Sequence, residues 1–386
     1  MFKGFNTRAV QSGDLKIKEI GNVVTPIFEN STFIYPNSES LYNDETRGMP
    51  YIYSRWGNPT VQSFEDKYKS LEGTEHAVSF SSGMAAITAA VLSNIEPGDK
   101  ILSIKELYGQ TFQFFSKTLK NLGITVDFTD VDSLNNLDFN PDKYKIVYAE
   151  SITNPLLKVV DIKNVSKFCH EHDVLFIDDA TFASPYNQNP VDLGSDIVVH
   201  SATKYIAGHS DVLLGIAGTN KYYDGLIDSR KTIGASPDAF QAYLSYRGLK
   251  TLGLRMERHN NNAMELARFL SESKKILKVH YPGLEDDKYH KIAEKNMKGY
   301  GGMLSFEIDN IDNAHKLIKN LKIPAYAASL GGVESLITMP VETTHSTLTA
   351  AERADAGISD GLIRFSTGIE DIDDIIDDFN NALSYL

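Results

Sequence analysis

The sequence predicts an α/β protein: a large domain built on a mostly parallel sheet, a smaller C-terminal α/β domain, and an N-terminal arm. Three observations carry that expectation. Short apolar runs alternate with helix-like segments over the middle of the chain, a pattern that places helices against a parallel sheet. The first 56 residues lack such alternation, and after a long helical stretch the strands resume on a smaller scale. At 386 residues the chain exceeds one average domain.

Taken in order, residues 1–56 mix aromatic and turn residues, as in "TPIFENSTFIYPNSES" and "RGMPYIYSRWGNPT", with little helical periodicity. An extended arm is expected there. Residues 57–248 form the expected large domain. It opens with the helix-like "SFEDKYKSLEG" and continues through the strand candidates "HAVSF", "KILSI", "TVDFTD", "YKIVYAE", "VLFIDD" and "DIVVHS", with helical pieces such as "VSKFCHEH" between them. "LSYRGLKTLGLRMERHNNNAMELARFLSESKK" reads as one long helical connection into residues 249–386, where "GMLSFEID" and "GLIRFSTG" read as strands. The acidic close, "IEDIDDIIDDFNNAL", spaces its apolar residues as an amphipathic helix with a solvated face.

Composition narrows the function class. With 42% hydrophobic and 23% charged residues the chain is that of a soluble globular protein. A net charge of −13 disfavours nucleic acid and anionic lipid as partners. One cysteine, Cys169, cannot form an intrachain disulfide, and the opening "MFKGFNTRAV" lacks a signal peptide's apolar core, so a cytoplasmic protein is expected. The apolar window "HAVSFSSGMAAITAAVLSNI" is interrupted by polar residues, so no membrane span is expected.

Ligands of open α/β sheets sit beyond the carboxyl ends of strands, and three strand exits carry candidate groups. Gly83 and Met84 follow Ser81-Ser82 at a strand-to-helix turn, where backbone amides could hold a phosphate; Ser and Gly are also ordinary turn residues. Asp178 and Asp179 end the run "VLFIDD", where they could pair with a cation, cap a turn or bind a metal. No His or Glu follows at ligand spacing, so no metal is expected. In "DIVVHSATKYIAGHSD", Ser201 and Thr203 offer hydroxyls and Lys204 stands just past the strand, where burial could lower its pKa; a lone lysine is more often solvated surface. A lysine, phosphate-directed hydroxyls and an aspartate for a pyridinium nitrogen together are what a lysine-linked pyridoxal phosphate (PLP) requires.

The stretch "DDATFASPYNQNPVDLGSDIVVHSATKYIAGHSD" closely resembles the lysine signature of the PLP-dependent enzymes of Cys/Met metabolism: cystathionine γ-synthase, cystathionine γ-lyase, methionine γ-lyase and the homoserine-ester sulfhydrylases. The resemblance extends through "YSRWGNPT", "SSGMAAI", "ELYGQT", "ESITNP", "SLGGVESLITMP", "TTHS" and "GLIRFSTGIEDIDDII". It implies PLP fold type I, resembling aspartate aminotransferase. It further implies that Lys204 holds the cofactor's aldehyde carbon, that Asp179 keeps the pyridine nitrogen protonated with Asp178 in support, and that Gly83, Met84, Ser201 and Thr203 cradle the phosphate. Tyr53 and Arg55 match residues that reach into a neighbouring subunit's phosphate site, which implies a homo-oligomer, commonly a homotetramer of dimers with shared active sites. Tyr108 matches the tyrosine that stacks on the ring and takes part in proton transfer. Arg364 matches the arginine that clamps the amino-acid substrate's α-carboxylate, with Asn154 and Ser329 as accessory groups.

The implied reaction is γ-elimination or γ-replacement on a sulfur amino acid or acylated homoserine, with a cystathionine β-lyase, a sulfhydrylase and a non-enzymatic PLP-binding protein as alternatives. Substrate choice is left open. Ile52 stands where the cystathionine enzymes commonly carry an acid before "YSR", Gln113 where cystathionine γ-lyases often carry arginine, and Gln110 where methionine γ-lyases usually carry cysteine. Glu334 fits the cystathionine enzymes.

Overall fold

The computed structural model describes residues 2–34, 51–343, 346, 349, 353 and 356–386. Residues 35–40 and 47–50 of the arm motifs, and Thr344 and His345 of "TTHS", lie outside the described residues. The larger sheet has seven strands: β1 (His76–Phe80), β2 (Lys100–Ile104), β3 (Thr125–Thr129), β4 (Ile146–Glu150), β5 (Leu175–Asp179), β6 (Ile197–Ser201) and β7 (Gly215–Thr219). Their spatial order is β1-β7-β6-β5-β4-β2-β3. The block from β3 to β6 is parallel throughout, and β7 runs antiparallel between β6 and β1. Every residue of β4 and β5 is buried, which is why these strands read as apolar runs and not as alternation.

A parallel block sends all its carboxyl ends to one side, and that is what assembles the site. Glu150 closes β4 opposite Asp179, which closes β5 and pairs with Val199 of the neighbouring β6. Helix starts meet the same side. The helix Gly83–Leu92 follows β1 and is capped by Ser82, whose hydroxyl accepts the Ala85 N–H at 3.1 Å.

The smaller sheet contains β8 (Lys278–His280), β9 (Met303–Glu307), β10 (Ala325–Tyr326), β11 (Leu336–Thr338) and β12 (Leu362–Ser366), in the order β10-β11-β12-β9-β8. All its pairs are antiparallel except β10 with β11. The acidic close forms the expected helix, Ile372–Ser384. Its Phe379 packs edge-on against Phe365 and Phe306, with ring centroids 5.2 and 6.0 Å away.

Three elements differ from the sequence expectation. The arm is not wholly extended: Phe5–Gln11 is a helix, held by burial of Ala9 and by Arg8 donating to the Ser70 carbonyl at 2.5 Å. Lys67, fully buried, pins the chain just beyond by donating to the carbonyls of Ala9 and Ser12 and pairing with Asp14 at 3.3 Å. The long helical connection is two helices, Ala239–Leu249 and Leu252–Glu272. They part where Gly248 passes so close to the loop after β6 that a Cβ would stand 2.3 Å from the Ala207 carbonyl oxygen. The third is β7, whose "GIAGT" has too little side chain to announce a strand, yet is completely buried. At the other end of the arm the half-exposed Trp56 offers its carbonyl to Arg230 at 3.1 Å, and Arg230 in turn pairs with buried Glu65 at 2.6 Å.

Candidate active site

Beyond the carboxyl ends of β4, β5 and β6 lies a cavity of about 910 Å³. Both sheets contribute to its walls. Gly83, Met84, Tyr108, Asp179, Ser201, Thr203 and Lys204 come from the larger sheet's side, Asn154 from the loop after β4, and Ser329 and Arg364 from the smaller sheet's side.

Lys204 sits three residues past β6, in a turn closed by its own N–H to the Ser201 carbonyl at 3.1 Å and by Gly208 N–H to its carbonyl at 2.8 Å. Its amine donates to the Ser329 hydroxyl at 2.7 Å. Burial, with the Arg364 cation nearby, lowers the amine to about 8. Ser329 holds φ at 94°, a left-handed backbone that a serine rarely adopts, and its carbonyl accepts from Arg364 Nη2 at 3.1 Å. Arg364 projects from β12, is 4% exposed, and donates through Nη1 to Asn154 Oδ1 at 2.9 Å. Burial lowers this guanidinium to about 10, so it keeps its charge at neutral pH.

Asp179 is buried at the end of β5. One oxygen, Oδ1, accepts both the Thr181 N–H at 3.0 Å and the Thr181 hydroxyl at 2.5 Å, and Oδ2 takes neither bond. Turn capping is thus present, carried by Oδ1 alone. Asp178 is wholly buried, accepts the Ser151 hydroxyl at 2.5 Å, and does not line the cavity.

At the start of the helix Gly83–Leu92 the amides of Gly83 and Met84 find no acceptor among the described residues. Gly83 lies so near β6 that a Cβ there would stand 2.7 Å from the Ser201 Cβ. Thr203 reaches the cavity while its hydroxyl takes the Leu214 N–H at 3.0 Å and donates to the Leu214 carbonyl at 3.2 Å. Tyr108, 44% exposed, opens the short helix Gly109–Gln113, and its N–H donates to Glu150 at 2.6 Å.

Tyr53 and Arg55 do not line this chain's cavity. Arg55 lies 5.6 Å from the Tyr53 ring centroid and donates to the Lys231 carbonyl. Of the four positions tied to substrate choice, Gln110 and Gln113 line the cavity and Ile52 and Glu334 do not; Glu334 accepts a hydrogen bond from Ser210. Several lining residues escaped the sequence reading, Thr181 and Glu150 among them. Thr181 could have been found from its place two residues after Asp179, the spacing of an aspartate turn. Glu150 carries no such local mark.

A profile of the "Cys/Met metabolism PLP-dependent enzyme" family matches residues 6–384. The chain is 43% identical to cystathionine gamma-lyase of Dictyostelium discoideum, over 98% of this chain and 97% of that one. It is 42% identical to a cystathionine beta-lyase of Lactococcus lactis subsp. cremoris, over 98% of each. The solved structure of cystathionine gamma-lyase from Lactobacillus plantarum complexed with L-serine superposes with a TM-score of 0.92 at 36% identity, covering 99% of both chains. Matched along its whole length in sequence and in fold, the chain belongs to the PLP-dependent enzymes of Cys/Met metabolism, and pyridoxal phosphate is its cofactor.

Proposed function

We propose that this trans-sulfuration enzyme catalyses γ-elimination or γ-replacement on cystathionine, methionine or an acylated homoserine. The observation that carries the proposal is the convergence of a buried amine of lowered basicity, Lys204, a buried carboxylate, Asp179, and a buried guanidinium, Arg364, on one cavity. PLP fits the residues present. The free amides of Gly83 and Met84, with Ser201 and Thr203, suit its phosphate; Asp179 Oδ2 suits the protonated ring nitrogen; Lys204 suits the aldehyde.

When bound, the cofactor supplies an aldehyde carbon for the substrate's amino group and a ring that accepts the electron pair left at Cα. The remaining work falls to the protein. Arg364, oriented by Asn154 and by the Ser329 carbonyl, grips the α-carboxylate as a planar donor pair. Lys204, which would hold the aldehyde, also supplies the amine that would take the Cα proton, a task suited to an amine near 8. Proton removal at Cβ and protonation of the departing γ-group fall to Lys204 and Tyr108. A thiol arriving at Cγ gives replacement; hydrolysis gives 2-oxobutanoate and ammonia.

The neutral amides of Gln110 and Gln113 support broad tolerance for the distal part of the substrate. β-Elimination is the second reading, favoured by a β-lyase relative nearly as similar to this chain as the γ-lyase is, at 42% against 43% identity. For the assembly, we assign residues 1–56 to an arm, 57–248 to the cofactor-binding domain and 249–386 to the small domain, in a cytoplasmic homotetramer built from dimers. The absence of Tyr53 and Arg55 from their own chain's cavity supports shared sites.

The deciding experiment offers the purified, yellow holoenzyme cystathionine, methionine and acylated homoserines with or without sulfide or cysteine. Release of 2-oxobutanoate, or of a γ-substituted product, is expected. Pyruvate and homocysteine from cystathionine would transfer the assignment to β-elimination, and a colourless protein inert with added PLP would overturn it.

A further inference from the structure

We infer that Glu150 is a positioning residue that works as a neutral carboxylic acid, tying the Tyr108 segment to the sheet and presenting an O–H donor to the cavity beside Asp179. This deepens the functional reading above and rests on it. Glu150 ends β4 and is the register partner of Asp179, so two carboxyl groups stand on adjacent parallel strands, at a strand spacing of about 4.8 Å, and line the same cavity. Both are buried, at 5% and 9% exposure. Two such groups cannot both carry charge without a large cost, so one holds a proton.

Their partners decide which. Asp179 receives two donors from Thr181, whereas Glu150 receives only the Tyr108 N–H, on Oε1. Among the described residues no Lys, Arg or His pairs with Glu150: Lys158 is taken by Glu106 at 2.6 Å, and the Lys204 amine by Ser329. The other groups around Glu150 are Asp178, Glu106 and the Tyr148 phenol, none of which favours a second negative charge. Burial raises both carboxyls, but the Thr181 donors pull Asp179 back down, whereas burial first and the Asp179 charge second push Glu150 well above the ordinary carboxylate range. A protonated Glu150 leaves Asp179 as the anion available to the cofactor's cationic ring nitrogen. The N–H bond from Tyr108 anchors the one aromatic side chain assigned to stack on that ring, at the entry to the helical run 109–121.

The test compares wild type, Glu150→Gln and Glu150→Ala as purified holoenzymes. Three readouts are used: the infrared carbonyl stretch of protonated carboxyl groups, the visible circular dichroism of bound cofactor, and kcat against KM. Gln keeps a neutral acceptor and donor, so it should lose one protonated-carboxyl band while keeping the dichroism and holding kcat within about threefold. Ala should weaken the dichroism and lower kcat by about 10- to 100-fold with little change in KM, the scale of a misplaced catalytic group. The inference is overturned if Gln loses no such band, if Gln falls as far as Ala, or if Ala changes neither dichroism nor kcat. Should Ala not fold, the Gln spectrum and rate still decide. A wild-type protein with no cofactor band would instead defeat the functional reading, and the infrared comparison would still report the state of Glu150.

Discussion

The Lys204 amine titrates near 8 in the folded protein against 10.5 for a solvated lysine. Between those values the unfolded chain binds more protons, so this residue makes stability rise with pH through that window and imposes a constant penalty below it. Lys204→Met should abolish turnover and, in the cofactor-free protein, add about 1–2 kcal/mol of stability at pH 7, a gain discounted because the amine faces the cavity. Urea unfolding at pH 7 and at pH 10.5 checks this, and the gain should vanish at the higher pH. Asp179 was visible in the sequence because the Asp178–Asp179 pair ends an apolar run, a purely local signal, whereas Lys204, three residues past its strand, stood out only beside its hydroxyl neighbours and by resemblance. Arg364 was visible only by resemblance: nothing local separates a buried arginine on a strand from an exposed one. Glu150 was not visible, because its meaning depends on Asp179, 29 positions away and brought beside it by strand register.

Elements explain which contacts can be tuned. The start of the helix Gly83–Leu92 must press against β6 for its amides to reach a phosphate, and it can do so only without a side chain at Gly83. Gly83→Ala should force the helix start away from Ser201 and weaken PLP binding by about tenfold or more, equivalent to about 1.4 kcal/mol, in a cofactor titration of the apoprotein. Affinity equal to wild type would remove the phosphate role from this turn. Strand positions were read within a residue or two across β1 to β6, most plainly at the fully buried parallel strands β4 and β5, which write themselves as apolar runs. β7 was missed since glycine and alanine carry little periodic signal. The break between the helices Ala239–Leu249 and Leu252–Glu272 was missed because helical periodicity continues across it.

At the scale of the whole molecule, the proposed sharing of sites between subunits is open to test, since Tyr53 and Arg55 lie outside the cavity of their own chain. Lys204→Ala and Arg55→Ala proteins, each inactive alone, should regain about a quarter of wild-type activity when unfolded and reassembled together, since half of random dimers are mixed and each mixed dimer holds one intact site. No recovery, or full activity in a strictly monomeric enzyme, would contradict shared sites. Among the described residues no helix is long and apolar enough to cross a membrane. One feature of the arm also makes assembly observable. The chain has a single tryptophan, Trp56, placed one residue after Arg55, 45% exposed, and fastened by its carbonyl to Arg230. All indole fluorescence of the protein therefore originates at the junction where a second copy is expected to dock, giving the molecule an intrinsic optical gauge of that encounter with no label attached.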